Sequence, residues 1–213
     1  MYKFKETTPD WLCYKANLDF TALPAIQKEL LKLFLKTKKD TLVPYTSTFV
    51  EIGGHAELGV MHDNCPLLMA EMHRLNLVEN FLSVAFISVD AAKEFPPHVD
   101  GWLDDGVDIA LNIPLIGCEG TYTVWYDGKI QDKKLPTYVI GSEIAQSARI
   151  ADPRTVTEIG RCNSDIPHWI NVNVLHRPET HHDKFRVAAS IRFSPDPVDT
   201  GGELWPHLIR QTD

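Results

Sequence analysis

From residue 81 onward the chain is a succession of short apolar runs, each closed by turn residues, and this rhythm restricts the fold more than any other feature. The runs are 81–89, 107–115, 121–126, 137–140, 155–159, 169–175 and 186–193. Between them stand Pro96-Pro97, Asp104-Asp105-Gly106, Gly117 with Gly120, Asp127-Gly128, Asp152-Pro153 and Asp165 with Pro167. Strand-like runs with turn signals every ~8–15 residues, and no helical period between them, predict a sandwich or barrel.

The first third has a different period. In 23–36 the residues Leu23, Ile26, Leu30, Leu33 and Phe34 recur at helical spacing after a polar start at Thr21. In 66–78 Leu68, Met69, Met72 and Leu75 form a second stripe, with Asn64 as the expected cap and Pro66 just inside. A further strand is expected at 46–52. The expectation is a mainly β chain with flanking N-terminal helices. It forms a single domain, 1–213, with a helical annex over about 20–80, a β core over about 81–195 and a tail at 196–213 that reads as loop. A chain of 24.1 kDa buries about 70% of its unfolded surface, so the core needs no disulfide or metal staple.

The formal net charge of −8 repels phosphate backbones, and nucleic acid is not expected as a partner. The one basic run, Lys36, Lys38 and Lys39 with Lys32 a turn earlier, falls at the end of the first helix, where cations complement its dipole. Cys13, Cys65, Cys118 and Cys162 are widely spaced with no CxxC pair, as free thiols in a reducing compartment would be. No apolar run approaches the ~20 residues of a membrane span, and the N-terminal residues lack a signal-peptide core. A cytoplasmic protein is expected.

Residues two apart on a strand share a face, so His-x-Asp or His-x-Glu can offer two ligands to one cation. Three stretches qualify: His55-Ala56-Glu57, His98-Val99-Asp100 and His181-His182-Asp183. The last lies in a polar stretch that reads as a solvated turn, and the first lacks a clear second strand to hold it. His98 and Asp100 follow the stiff Pro96-Pro97 entry and read either as ligands or as a satisfied hydrogen-bonded pair. His176 ends the run from Trp169 and can complete a 2-His-1-carboxylate set, which leaves three positions of a six-coordinate iron open. Ten positions on, Arg186 opens a run in which Arg186, Ala188, Ser190 and Arg192 share one face. An arginine there is either a fork for a carboxylate or an edge-strand surface cation.

His98-Val99-Asp100, His176 and Arg186 together resemble the iron(II)- and 2-oxoglutarate-dependent oxygenases. That family shares a double-stranded β-helix, a jelly-roll or cupin-like barrel. The stretches 108–115 and 118–125 resemble the aspartyl/asparaginyl β-hydroxylase-like branch, with Ala110 and Asn112 where the branch carries Arg and His. The resemblance covers roughly residues 80–195. It implies that His98, Asp100 and His176 hold iron(II) and that Arg186 pairs with the 5-carboxylate of 2-oxoglutarate. Asn112 would serve the co-substrate's other carboxylate.

The implied reaction uses dioxygen to hydroxylate a small molecule or an amino-acid or peptide side chain, releasing succinate and carbon dioxide. Asp100 keeps a carboxylate where a small residue would admit a halide, which disfavours halogenation. Asn171, Asn173 and Ser190 are candidate hydrogen-bonding supports, or polar residues facing solvent. Trp102 and the acidic loop with Asp104, Asp105 and Asp108 border either the substrate entrance or an ordinary turn, and Trp125 and Tyr126 fit the barrel core. Two other readings stay open. One is a cupin-like barrel that binds metal or a small ligand without oxygenase activity, for which Arg186 is dispensable. The other is a structural or interaction domain.

Overall fold

The computed structural model describes residues 11–40, 49–53, 58–89, 96–100, 109–139, 142–180, 185–199 and 201–210. Twelve strands occur among them: β1 (Cys13–Lys15), β2 (Phe49–Gly53), β3 (Phe81–Val89), β4 (His98–Val99), β5 (Ile109–Ile116), β6 (Thr121–Asp127), β7 (Gln131–Val139), β8 (Ser142–Ile150), β9 (Thr157–Asn163), β10 (His168–Asn171), β11 (His176–Thr180) and β12 (Arg186–Phe193). The helices are α1 (Leu23–Asp40), α2 (Leu58–Asn64) and α3 (Pro66–Arg74). The strands form two open six-stranded sheets, ordered β1-β10-β5-β12-β3-β2 and β7-β8-β4-β11-β6-β9, with every pair antiparallel. The mainly β expectation agrees with this. A closed barrel is not found among the described residues.

Alternation along β12 explains how the layers stack. Val187, Ala189 and Ile191 join Val84, Phe86, Ile109, Leu111 and Ile113 in a core completed by Ile26, Leu30, Phe34, Met61, Leu68 and Met72 of the helices. The opposite face of the first sheet meets the second, where Ala110 and Ile170 pack with Trp125. A sheet covered on both faces has no solvent side, and every residue of β12 is buried. The two glycines of the β5–β6 turn have positive φ, 59° at Gly117 and 68° at Gly120. A Cβ on Gly117 would also lie 2.3 Å from the Phe185 carbonyl oxygen.

Several local expectations are corrected. The second helix begins only after a separate short one: Asn64 closes α2, its amide donating to the Val60 carbonyl (2.7 Å), and does not cap α3. The N-terminus of α3 is instead capped by Glu29 of α1, whose Oε2 accepts from the amides of Leu67 (3.0 Å) and Leu68 (3.3 Å). The run at 169–175 is broken, because β10 stops at Asn171 and His176 opens β11 rather than ending a strand. Asn171 makes the break. Its Oδ1 accepts from the Asn173 amide (3.0 Å), its Nδ2 donates to Trp11 O (3.1 Å), and its carbonyl accepts from Trp125 Nε1 (2.9 Å).

The tail is tied down by Trp169 Nε1 donating to Leu208 O (3.0 Å) and by an Ala16–Ile209 bridge. No helix of the described residues is long and apolar enough to cross a membrane.

Candidate metal centre

His98 on β4 stands directly opposite His176 on β11, a register that places both imidazoles on one face of the second sheet. Their rings are 4.6 Å apart between centroids. Asp100 is held beside them by its amide, which donates to Val172 O (2.9 Å) in the bend before β11. Its Oδ1 lies 3.0 Å from His98 Nε2 and its Oδ2 3.8 Å from His176 Nε2. One ligand atom from each of the three residues falls within 4.8 Å of the others, a group that can hold a metal ion.

The tautomers follow from the backbone. His98 Nδ1 meets Pro96 O (3.1 Å) and His176 Nδ1 meets Val174 O (2.9 Å); a carbonyl only accepts, so both Nδ1 atoms carry hydrogen. In the neutral rings each Nε2 then presents a lone pair toward Asp100. Converging lone pairs and a carboxylate repel one another, and a cation or an added proton between them relieves that repulsion. A first-row divalent metal bound at about 2.1 Å holds adjacent ligand atoms about 3 Å apart, so the spacing fits such an ion.

Arg192 comes from the facing sheet and its Nη2 donates to Asp100 Oδ2. Burial by itself would raise the Asp100 carboxyl, but the Arg192 guanidinium, the largest opposing influence, helps to hold the group well below the usual carboxylate range. His176 is pulled down to about 4, chiefly by burial, and is neutral near pH 7.

A second polar group lies along the same inner face of the first sheet. His168, Asn112 and Ser190 stand in register across β10, β5 and β12. Buried atoms without a hydrogen-bond partner include His168 Nε2, Asn112 Oδ1, Ser190 Oγ, Arg186 Nε and Arg192 Nη1. Such atoms cost roughly 1–3 kcal/mol each when unsatisfied, so a polar group or water placed against this face would be favoured. Arg186 is 2% exposed, which excludes the surface-cation reading.

His98, Asp100 and His176 are thus brought together, and Arg186 and Asn112 lie on the wall of the facing sheet. Arg192 and His168 were given no role in the sequence reading. Same-face alternation with Arg186 was the available signal for Arg192, whereas His168 had only its register with Asn112, which sequence does not display. Asn171 is a turn former rather than a support of the site or a solvent-facing residue. Trp125 is core, as expected. His55, Glu57, His181, His182, Asp183, Trp102, Asp104, Asp105 and Asp108 lie outside the described residues.

The two buried histidines give a pH signature. His168 is also lowered to about 4, mainly by burial. A base whose pKa falls on folding binds its proton more readily in the unfolded chain. Stability is therefore full above about pH 6.5 and is lost as pH falls toward 4, by up to about 3 kcal/mol per histidine. Urea unfolding of metal-free protein between pH 7 and 4.5 is expected to show this decline, and His168→Gln to remove about half of it. A wild-type curve that is flat across this window contradicts the burial argument.

No family model matches the sequence, and no curated protein matches it. Solved structures do match. A prolyl-4-hydroxylase from Pseudomonas putida has 12% identity and a TM-score of 0.41, over 85% of this chain and 92% of that one. A prolyl 4-hydroxylase structure from Phytophthora capsici has 13% identity and a TM-score of 0.40, over 81% of this chain and 55% of that one, so this chain spans about half of its length. A non-heme alpha ketoglutarate dependent carbocyclase from nogalamycin biosynthesis has 10% identity and a TM-score of 0.42, over 85% and 78%.

Proposed function

We propose that this chain is an iron(II)- and 2-oxoglutarate-dependent oxygenase that hydroxylates a small molecule or an amino-acid or peptide side chain. One observation carries the reading: a converging His98–Asp100–His176 set faces a sheet wall on which a fully buried guanidinium, Arg186, has a donor without a partner. Iron bound by the three residues would supply activation of dioxygen by oxidative decarboxylation of the keto acid. His98, Asp100 and His176 would hold the ion and supply three of its ligands, leaving further positions for the co-substrate. Arg186 holds the 5-carboxylate by a charge-assisted fork. Ser190 and Asn112, between Arg186 and the metal end of the strand, orient the chain of the keto acid.

The double-stranded β-helix reading is supported by the order β10-β5-β12-β3 in one sheet and β4-β11-β6-β9 in the other. In that order β3, β4, β5 and β6 alternate between the sheets, as do β9 through β12. The β-hydroxylase-like branch gains support from register. Ala110 and Asn112 stand where the branch carries Arg and His, and beside them on adjacent strands are Arg192 and His168. The same two functional groups reach the same rows of the wall from neighbouring backbone.

The test is the visible spectrum of the protein given iron(II) and then 2-oxoglutarate without oxygen. A weak charge-transfer band that needs both additions is expected. Folded protein that gives no band is instead a metal- or ligand-binding β-module.

A further inference from the structure

Cys13 on β1 and Cys162 on β9 belong to edge strands of different sheets. The two edges approach closely, since a Cβ on Gly160 of β9 would come 2.6 Å from Leu12 Cδ1, next to Cys13 in the chain. Both cysteines pack against the cluster of Ala110, Trp125, Ile170 and Val172, and both line one cavity of about 650 Å³ between the edges. Neither is fully buried.

Each thiol is the largest influence on the other's ionisation: Cys13 is pulled below its usual range by Cys162 against the effect of burial, while Cys162 is pushed up first by Cys13 and then by burial. A thiol lowered in this way is the one that ionises first, which makes Cys13 the candidate nucleophile of the pair. The other two cysteines are placed differently. Cys65 is buried under the helices and pushed up to about 12, and Cys118 is buried with its thiol donating to Val187 O (3.2 Å).

We propose that Cys13 and Cys162 form a redox-reactive pair, which hydrogen peroxide converts into a disulfide stapling β1 to β9. The Cys13 thiolate attacks one peroxide oxygen, the O–O bond breaks, and the departing hydroxide takes up a proton to leave as water, giving a sulfenic acid at Cys13. The Cys162 sulfur then attacks the Cys13 sulfur and expels the second water. Two thiols and one peroxide become one disulfide and two waters, and the two electrons lost by sulfur reduce the peroxide. A thiol reductant reverses the step.

The full chain, reduced and free of added iron, is treated with hydrogen peroxide, alkylated and digested for mass spectrometry. The expected product is one linked peptide pair holding Cys13 and Cys162, about 2 Da lighter than the two reduced peptides together. The unfolding midpoint is expected to rise by roughly 5–10 °C, because the bond closes a long loop, and to return with dithiothreitol. Cys13→Ser and Cys162→Ser, at positions that are not fully buried, are each expected to lose the shift. Free alkylated Cys13 and Cys162 after treatment would overturn the proposal. So would a link to Cys65 or Cys118, or sulfinic acid at Cys13 beside unmodified Cys162.

Discussion

Asp100→Ala is expected to abolish metal binding and, separately, to destabilise the metal-free protein by about 2–4 kcal/mol. The two effects have different causes. Metal binding fails because the carboxylate is the anionic member of a set otherwise made of neutral imidazoles, and it lies between both Nε2 atoms. Stability falls because Asp100 is the ion-pair partner of Arg192, whose side chain is 9% exposed and already carries an unpartnered Nη1. Removing the carboxylate leaves a buried cation with no carboxylate opposite it among the described residues, and the 21% exposure of Asp100 keeps the cost below that of a fully buried pair.

His176→Ala is expected to lose metal equally but to cost less stability, since it removes a neutral ring rather than half of an ion pair. Asp100→Ala combined with Arg192→Met is expected to regain most of the lost stability while still binding no metal. Titration with cobalt(II) and urea unfolding in a chelator read the two quantities independently. Cobalt affinity within about threefold of wild type in Asp100→Ala would dismiss the ligand set. An unchanged unfolding midpoint would instead show that the Arg192 pair contributes nothing.

Much of this wall was legible in the sequence, because period-two alternation in 186–193 separates Val187, Ala189 and Ile191 from Arg186, Ala188, Ser190 and Arg192 without any knowledge of neighbours. What faces each side was not legible, since it depends on register between strands distant in sequence. His98 and His176 meet through a β4–β11 pairing, and Arg192 finds Asp100 only because the two sheets face each other. The break at Asn171 was hidden for a related reason. Trp169 to Leu175 alternates like one strand, and the hydrogen bonds that bend it come from Trp11 and Trp125 elsewhere in the chain.

The hairpin of β7 and β8 was mostly missed because its residues, such as Lys133, Lys134, Gln146 and Ser147, give little apolar alternation to detect. His98 and Asp100, two residues apart, were therefore the easiest part of the site to read, and the cations opposite them the hardest to assign.

Arg186→Met is expected to weaken 2-oxoglutarate binding by about 100-fold or more, yet to leave the metal-free protein as stable as wild type or more so. A residue retained for the core would behave in the opposite way. Arg186 is fully buried, its Nε has no partner, and burial pulls its guanidinium below its usual pKa against the opposing influence of Cys118. Among the described residues no carboxylate is paired with Arg186; desolvating such a cation is unfavourable, so the free protein holds this charge at a cost that a bound dianion would offset. Methionine fills similar volume without that cost.

Arg186→Lys is not expected to rescue binding, because an ammonium on a flexible stem lacks the planar fork that meets two carboxylate oxygens at once. Titration of 2-oxoglutarate by the charge-transfer band gives the affinity, and thermal unfolding in a chelator gives the stability. Affinity unchanged in Arg186→Met would move the 5-carboxylate to Arg192, the other inward-facing arginine of β12. A drop in metal-free stability would mean that Arg186 holds the strand in place rather than waiting for an anion.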